Sequence, residues 1–251
     1  MPKDYSIPVL DGPGNNDYAR YMRTDELLAL QRDPDEMIHP DELLFQTVHQ
    51  STELWLKLCC HEVEQATDHL RSGAFDTAAR LLGRAALGVE FVTGQLEMLR
   101  HLSPWTFQTL RTVLGNGSGF ESPGWRAVQL VSRTLDNVFS TALAGAGVTL
   151  VDIYRGSPDA PLHRLAEAMV DWDERVAVWR TRHYKVATRI IGHQSVGTKG
   201  APVDVLAKLI AQKFFPQLWQ VRTELTNAGP LADNPVDERS PLVREAMGTT
   251  A

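Results

Sequence analysis

The chain is predicted to fold as an all-α helical bundle in one domain. Long runs carry apolar residues at helical spacing, Gly and Pro punctuate them at regular distances, and strand signals are sparse. No alternating apolar run sits beside an Asn-Gly or Asp-Gly turn, and no internal repeat is visible.

The first sixteen residues are rich in Pro, Gly and Asn and read as an arm, mobile or docked on a partner. Residues 17–226 are expected to form the helical domain, and 227–251 a loose tail. Within the domain, Tyr18 to Gln31 reads as one short amphipathic helix. The stretch RDPDEMIHPDE, broken by Pro34 and Pro40, reads as a loop. Asp41 to Leu70 is a long helix, with Leu44, Val48, Trp55, Leu58 and Val63 at the helix period, closed by Gly73. Phe75 to Leu99 is a second. Thr106 to Leu114 is a short helix that stops at GNGSG, and Trp125 to Leu143 resumes helix. Residues 148–160 read as irregular. Pro161 to Gly192 is the third long run, with Gly192 placed just past the helix end. HQSVGTKGAPVD is a loop, and Val205 to Thr226 is read as a final helix.

Composition narrows the function classes. Hydrophobic residues make up 43% and charged residues 22%, which suits an ordinary globular chain, and the net charge of −6 gives no basic footprint for nucleic acid. No run approaches the roughly 20 apolar residues of a membrane helix. The N-terminus lacks a charged segment followed by an apolar one, so a cytoplasmic location is expected. The two cysteines, Cys59 and Cys60, are adjacent and read as small buried helix residues in a reducing compartment.

Eight histidines offer candidate metal ligands. The carboxylate-bridged di-iron pattern needs paired Glu-x-x-His motifs on long helices. Here only Glu36-x-x-His39 fits, in a Pro-flanked loop. His183 lies within a helix on one face with Val176, Trp179, Ala187 and Ile190. That apolar stripe suits either a packed core or the proximal wall of a haem, with Arg180, Arg182 and Arg189 available to propionates. His49 has Phe45 one turn before it, which suits a core or a pocket wall with one polar handle. Arg111 follows Phe107 by one turn, and its planar guanidinium suits a carboxylate as well as open solvent. The GNGSG loop lets backbone approach a ligand closely, or simply stops a helix.

Five segments together resemble the tryptophan 2,3-dioxygenase family, the haem-dependent enzymes that open the indole ring. They are YARYMRTDELLALQ, HPDELLFQTVHQSTELWLKL, LRTVLGNGSGFES, VWRTRH with RIIG after it, and GTKG, spanning about residues 17 to 225. The resemblance implies haem b as cofactor and O2 with tryptophan, or a substituted tryptophan, as substrates. It implies a homo-oligomer, dimer or tetramer. It places the iron on His183, with Trp179 beside the haem, and Ser118 and Gly119 in the small-residue loop near it. His49 becomes the catalytic residue at the indole N–H, flanked by Phe45. Arg111 binds the substrate carboxylate, Thr198 its amino-acid end, and Tyr18 is contributed by a neighbouring subunit.

Departures from the family pattern fall around the substrate. Phe107 stands where a tyrosine is common, and GTKGAPV replaces Gly-Thr-Gly-Gly-Ser-Ser-Gly. The stretch from Phe120 to His183 is shorter than in members that feed kynurenine metabolism. These changes resemble the divergent natural-product branch, whose maremycin-pathway member converts a β-methyltryptophan to a 2-oxindole. The expected reaction is therefore oxidation of the indole C2=C3 bond, leaning to monooxygenation, with dioxygenation to N-formylkynurenine as the alternative. A haem tyrosine hydroxylase and a non-catalytic haem sensor are further alternatives.

Overall fold

The computed structural model of the chain describes residues 6–232, so the start of the arm and the tail from 233 onward lie outside the described residues. The described residues form ten α-helices: α1 (Asp17–Met22), α2 (Thr24–Leu28), α3 (Asp41–Arg71), α4 (Phe75–Leu99), α5 (Pro104–Arg111), α6 (Pro123–Ala146), α7 (Leu150–Arg155), α8 (Pro161–Ile191), α9 (Val205–Ile210) and α10 (Pro216–Asn227). Among the described residues the only β-pairing is one isolated antiparallel bridge, Val196 to Pro202. None of these helices is long and apolar enough to cross a membrane. The all-α class follows, as the periodicity predicts.

Three expected elements differ, each for a local reason. The helix expected over 18–31 is two short helices, because Arg23 sits at φ 52° and ψ 42°, a left-handed conformation that no helix continues through. The supposedly irregular stretch after Val148 contains α7. Thr149 caps it by accepting from the Asp152 N–H while Asp152 accepts from the Thr149 N–H, a reciprocal arrangement that nucleates a turn. The final helix is split into α9 and α10 at Pro216. Proline donates no hydrogen bond and bars the preceding residue from helical geometry, and Phe215 accordingly lies at φ −123° and ψ 67°.

The chain divides into two compact units. The first holds Met1–Cys60, Leu87–Val128 and Arg175–Gln212, and the second the remainder, so α3, α4, α6 and α8 each contribute a segment to either. In the first unit, Val48, Leu96, Leu99, Leu102, Leu110, Val186 and Ile190 form a buried apolar cluster. Phe45, Phe107 and Trp179 pack against it, half-buried. Burying each such aliphatic chain contributes about 1.5–3 kcal/mol. This cluster is the platform on which α3, α5 and α8 present the candidate residues. Gly124 brings α6 close to α3, since a Cβ there would lie 2.6 Å from the Glu53 carboxylate and 2.8 Å from Leu56. Glu53 accepts the Gly124 N–H at 2.9 Å and the Ser122 hydroxyl, which fixes the start of α6 and so the place of Trp125.

In the second unit Trp172 is fully buried, and its indole N–H donates to Ser132 at 2.9 Å. Asp173, 1% exposed, accepts on one oxygen from the backbone N–H groups of Phe214 and Phe215 and from the Trp219 indole. These three donors bind the segment that Pro216 broke.

Candidate functional site

Phe45 and His49 are one turn apart on α3, so their rings stand together, with centroids at 4.1 Å. The His49 Nδ1–H donates to the Phe45 carbonyl at 2.7 Å. A carbonyl only accepts, so the proton of the neutral ring is on Nδ1 and Nε2 presents a bare lone pair. Phe107, on α5, lies 6.0 Å from Phe45 and extends the aromatic wall.

On α8, the Trp179 and His183 rings stack with centroids 4.8 Å apart and planes 8° from parallel. Trp125 packs on Trp179 at 3.8 Å. The Trp179 indole N–H is buried without a hydrogen-bond partner. An orphaned donor of this kind is costly unless something else completes it. Burial, with a smaller contribution from the charge of nearby His49, pushes the His183 pKa down to about 4. Burial also lowers the His49 pKa, against the pull of the Phe45 carbonyl and the Glu53 charge. Both imidazoles are therefore neutral near pH 7, the form that ligates a metal or accepts a proton.

His49 is exposed to solvent and His183 partly so, yet surrounding protein desolvates both. A ring with one polar handle among aromatic and apolar side chains is suited to contact with a cofactor or ligand.

The second cluster of candidate residues gathers at a hairpin. Arg111 closes α5 and donates to Gln108 Oε1 and to the Val196 carbonyl, each at 3.2 Å. Thr198 donates its hydroxyl to the Gly117 carbonyl, and Lys199 pairs with Glu121. Ser118 caps the short 3-10 turn at Gly119–Glu121, and its own N–H donates to Glu121 at 3.0 Å. Arg111, Thr198, Ser118 and Gly119 are thus brought to one place. Tyr18 is not among them; it is 68% exposed on α1. Arg182 is engaged by Glu97, and Arg180 donates to the Gln212 carbonyl at 2.7 Å.

Sequence reasoning missed Trp125, whose tilted contact with Trp179 joins residues 54 positions apart with no spacing signal. It also missed Glu121, although the Ser-x-x-Glu pattern at 118–121 signals a cap.

Comparison with known proteins identifies the family of the chain. The family profile described as Tryptophan 2,3-dioxygenase matches residues 8–138. A tryptophan 2,3-dioxygenase of Bacillus anthracis is 28% identical over 263 residues, covering 84% of this chain and 93% of its own. One from Myxococcus xanthus is 29% identical over 274 residues, covering 88% and 94%. One from Caulobacter vibrioides is 30% identical over 260 residues, covering 83% and 98%. The chain belongs to the tryptophan 2,3-dioxygenase family.

Proposed function

We propose that the protein is a haem-dependent oxygenase that oxidises the indole C2=C3 bond of tryptophan. The observation that carries this reading is the pair of neutral, desolvated imidazoles of different character. His183 is stacked on Trp179 at the back of an apolar stripe, and His49 is turned by the Phe45 carbonyl so that Nε2 is an acceptor. The residues fit a haem. Among the described residues no group of three or more His, Cys, Asp or Glu is arranged to hold a bare metal ion, and His183 would hold the iron of a haem, which needs no such cluster. The unpartnered Trp179 N–H would be available to donate to a bound group.

When bound, haem iron supplies the binding and activation of O2. The chain's own residues supply position and proton handling. Arg111 grips the amino acid's carboxylate with the N–H groups that Gln108 and Val196 leave uncommitted. Thr198, its proton committed to Gly117, has lone pairs for the ammonium. Phe45 and Phe107 wall the indole, and His49 Nε2 accepts its N–H, which fixes the ring face and holds the proton at indole N1. Ser118 and Gly119 keep the floor small. Tyr18 reaches a neighbouring subunit's site. Exposed Ile7, Val9, Leu10, Tyr21 and Met22, on an arm whose helices α1 and α2 bury no residue, support a homo-oligomer, dimer or tetramer, that covers them. The buried cysteines Cys59 and Cys60 accord with a cytoplasmic enzyme.

Dioxygenation to N-formylkynurenine accords with the activity named for the relatives. Monooxygenation to a 2-oxindole, as in the divergent natural-product branch, is favoured by one observation. Phe107 gives the carboxylate no hydroxyl, so the clamp on a partly oxidised substrate is weaker. Mass spectrometry of products formed under ¹⁸O2 from tryptophan, β-methyltryptophan and tyrosine tests all of this. A gain of two labelled oxygens supports the dioxygenase and a gain of one the monooxygenase. Oxidation of tyrosine alone, or no O2 uptake with any of them, overturns the proposal.

A further inference from the structure

We propose that Lys199 and Glu121 are positioning residues, an ion-pair latch that holds the hairpin 196–202 docked on the 117–121 segment before an amino acid enters. The hairpin is built by its own backbone. Val196 bridges Pro202, the Gly197 N–H donates to the Ala201 carbonyl at 2.9 Å, and the Gly200 N–H donates to the Gly197 carbonyl at 2.9 Å. Gly200 lies at φ +75°, where a side chain is strained, so the turn is set and the tip projects Thr198 and Lys199.

Three contacts seat that tip. Thr198 donates to the Gly117 carbonyl, Lys199 pairs with Glu121, and Arg111 donates to the Val196 carbonyl from below. Glu121 is itself held, because its other oxygen accepts the Ser118 N–H. The ammonium of Lys199 therefore meets a carboxylate that is already oriented. Paired with Lys199, and held by the Ser118 N–H, Glu121 keeps its carboxyl below the usual carboxylate range.

The docked hairpin leaves both substrate-gripping groups with capacity to spare. Arg111 uses two of its five N–H donors, and Thr198 uses its proton but not its lone pairs. Their internal bonds orient them for a zwitterionic amino acid. A latch that maintains this state lowers the ordering cost of binding. The consequence for substrate rests on the function proposed above, whereas the latch itself does not.

The test uses the full chain. Lys199→Met keeps the aliphatic stem and removes the charge, Glu121→Gln keeps the acceptor for Ser118, and Lys199→Arg keeps the pair. Hydrogen exchange of backbone amides over 195–203 is expected to speed up in the first two variants and not in the third. In the haem-loaded enzyme, KM for tryptophan is expected to rise about 1.5- to 5-fold in the first two with kcat little changed, the range of an exposed ion pair. Both side chains are nearly half exposed, 44% and 45%, so 0.5 M NaCl is expected to reproduce the effect in the native chain and add nothing to Lys199→Met. Unchanged exchange over 195–203 in Lys199→Met overturns the latch, and so does a fall in KM. If no form turns over tryptophan, the proposed function fails, and exchange still decides the latch.

Discussion

The Trp179 indole lies parallel to the His183 imidazole, one helical turn away, with centroids 4.8 Å apart and an 8° angle between planes. The stack fixes the plane of a ring that otherwise turns about its side-chain bonds, and Trp125 packs on Trp179 at 3.8 Å. Trp179→Ala is expected to weaken haem retention by about 10- to 100-fold, as loss of a ligand's orienting partner does. Trp179→Phe keeps an aromatic ring for the stack but loses the N–H and part of the indole's area, so it is expected to fall between. Haem transfer to an acceptor globin measures both.

Phe107 sits one turn before Arg111, and a hydroxyl on its ring would share the carboxylate that Arg111 is proposed to hold. Phe107→Tyr is expected to lower KM for tryptophan about 2- to 10-fold, the value of one hydrogen bond. It is also expected to raise the fraction of product carrying two oxygens. Steady-state kinetics with product mass analysis checks it. A rise in KM would mean that the ring faces only the apolar cluster.

Asp173 is the main polar anchor of the second unit. One oxygen takes three N–H donors, and the side chain is almost wholly buried. Asp173→Ala leaves those donors unpaired and is expected to cost about 2–4 kcal/mol of stability. Urea denaturation gives the value.

Asp136 is shifted in the opposite sense to Glu26, Glu97, Glu121 and Asp152. Burial, and then the charge of Asp173, raises its pKa above the ordinary 3.8. An acid whose pKa is raised on folding holds its proton more tightly in the folded state. Its contribution is therefore fully present below pH 3.8 and lost as pH rises through the folded value. Asp136→Asn is expected to stabilise the protein at pH 7, by less than about 1 kcal/mol, and to give no gain below pH 3.8. Thermal melts across that range measure it.

Much of the fold was legible because the long helices obey their period. The expected ends of α3, α4 and α8 fall within one or two residues of those found, since Gly73, Pro161 and Gly192 mark them chemically. The misses were local. Nothing in Arg23 as a residue type announces a left-handed backbone. Thr149-x-x-Asp152 and Pro216 did carry signals, a capping box and a helix break, that the apolar pattern overrode. At the site, Phe45 with His49 and Trp179 with His183 follow from helical spacing alone. The link from Thr198 to Gly117 and the contact of Trp125 with Trp179 depend on tertiary packing, which no local pattern encodes.

The proposed function divides the work between two histidines, with His183 to hold the iron and His49 to meet the indole. The direct test is the absorption and EPR spectra of haem-loaded His183→Ala and His49→Ala, with and without added imidazole. His183→Ala is expected to lose haem or shift its Soret band and to recover it with imidazole, while His49→Ala keeps a full complement of haem and loses turnover. An unchanged Soret band and full haem content in His183→Ala would contradict it.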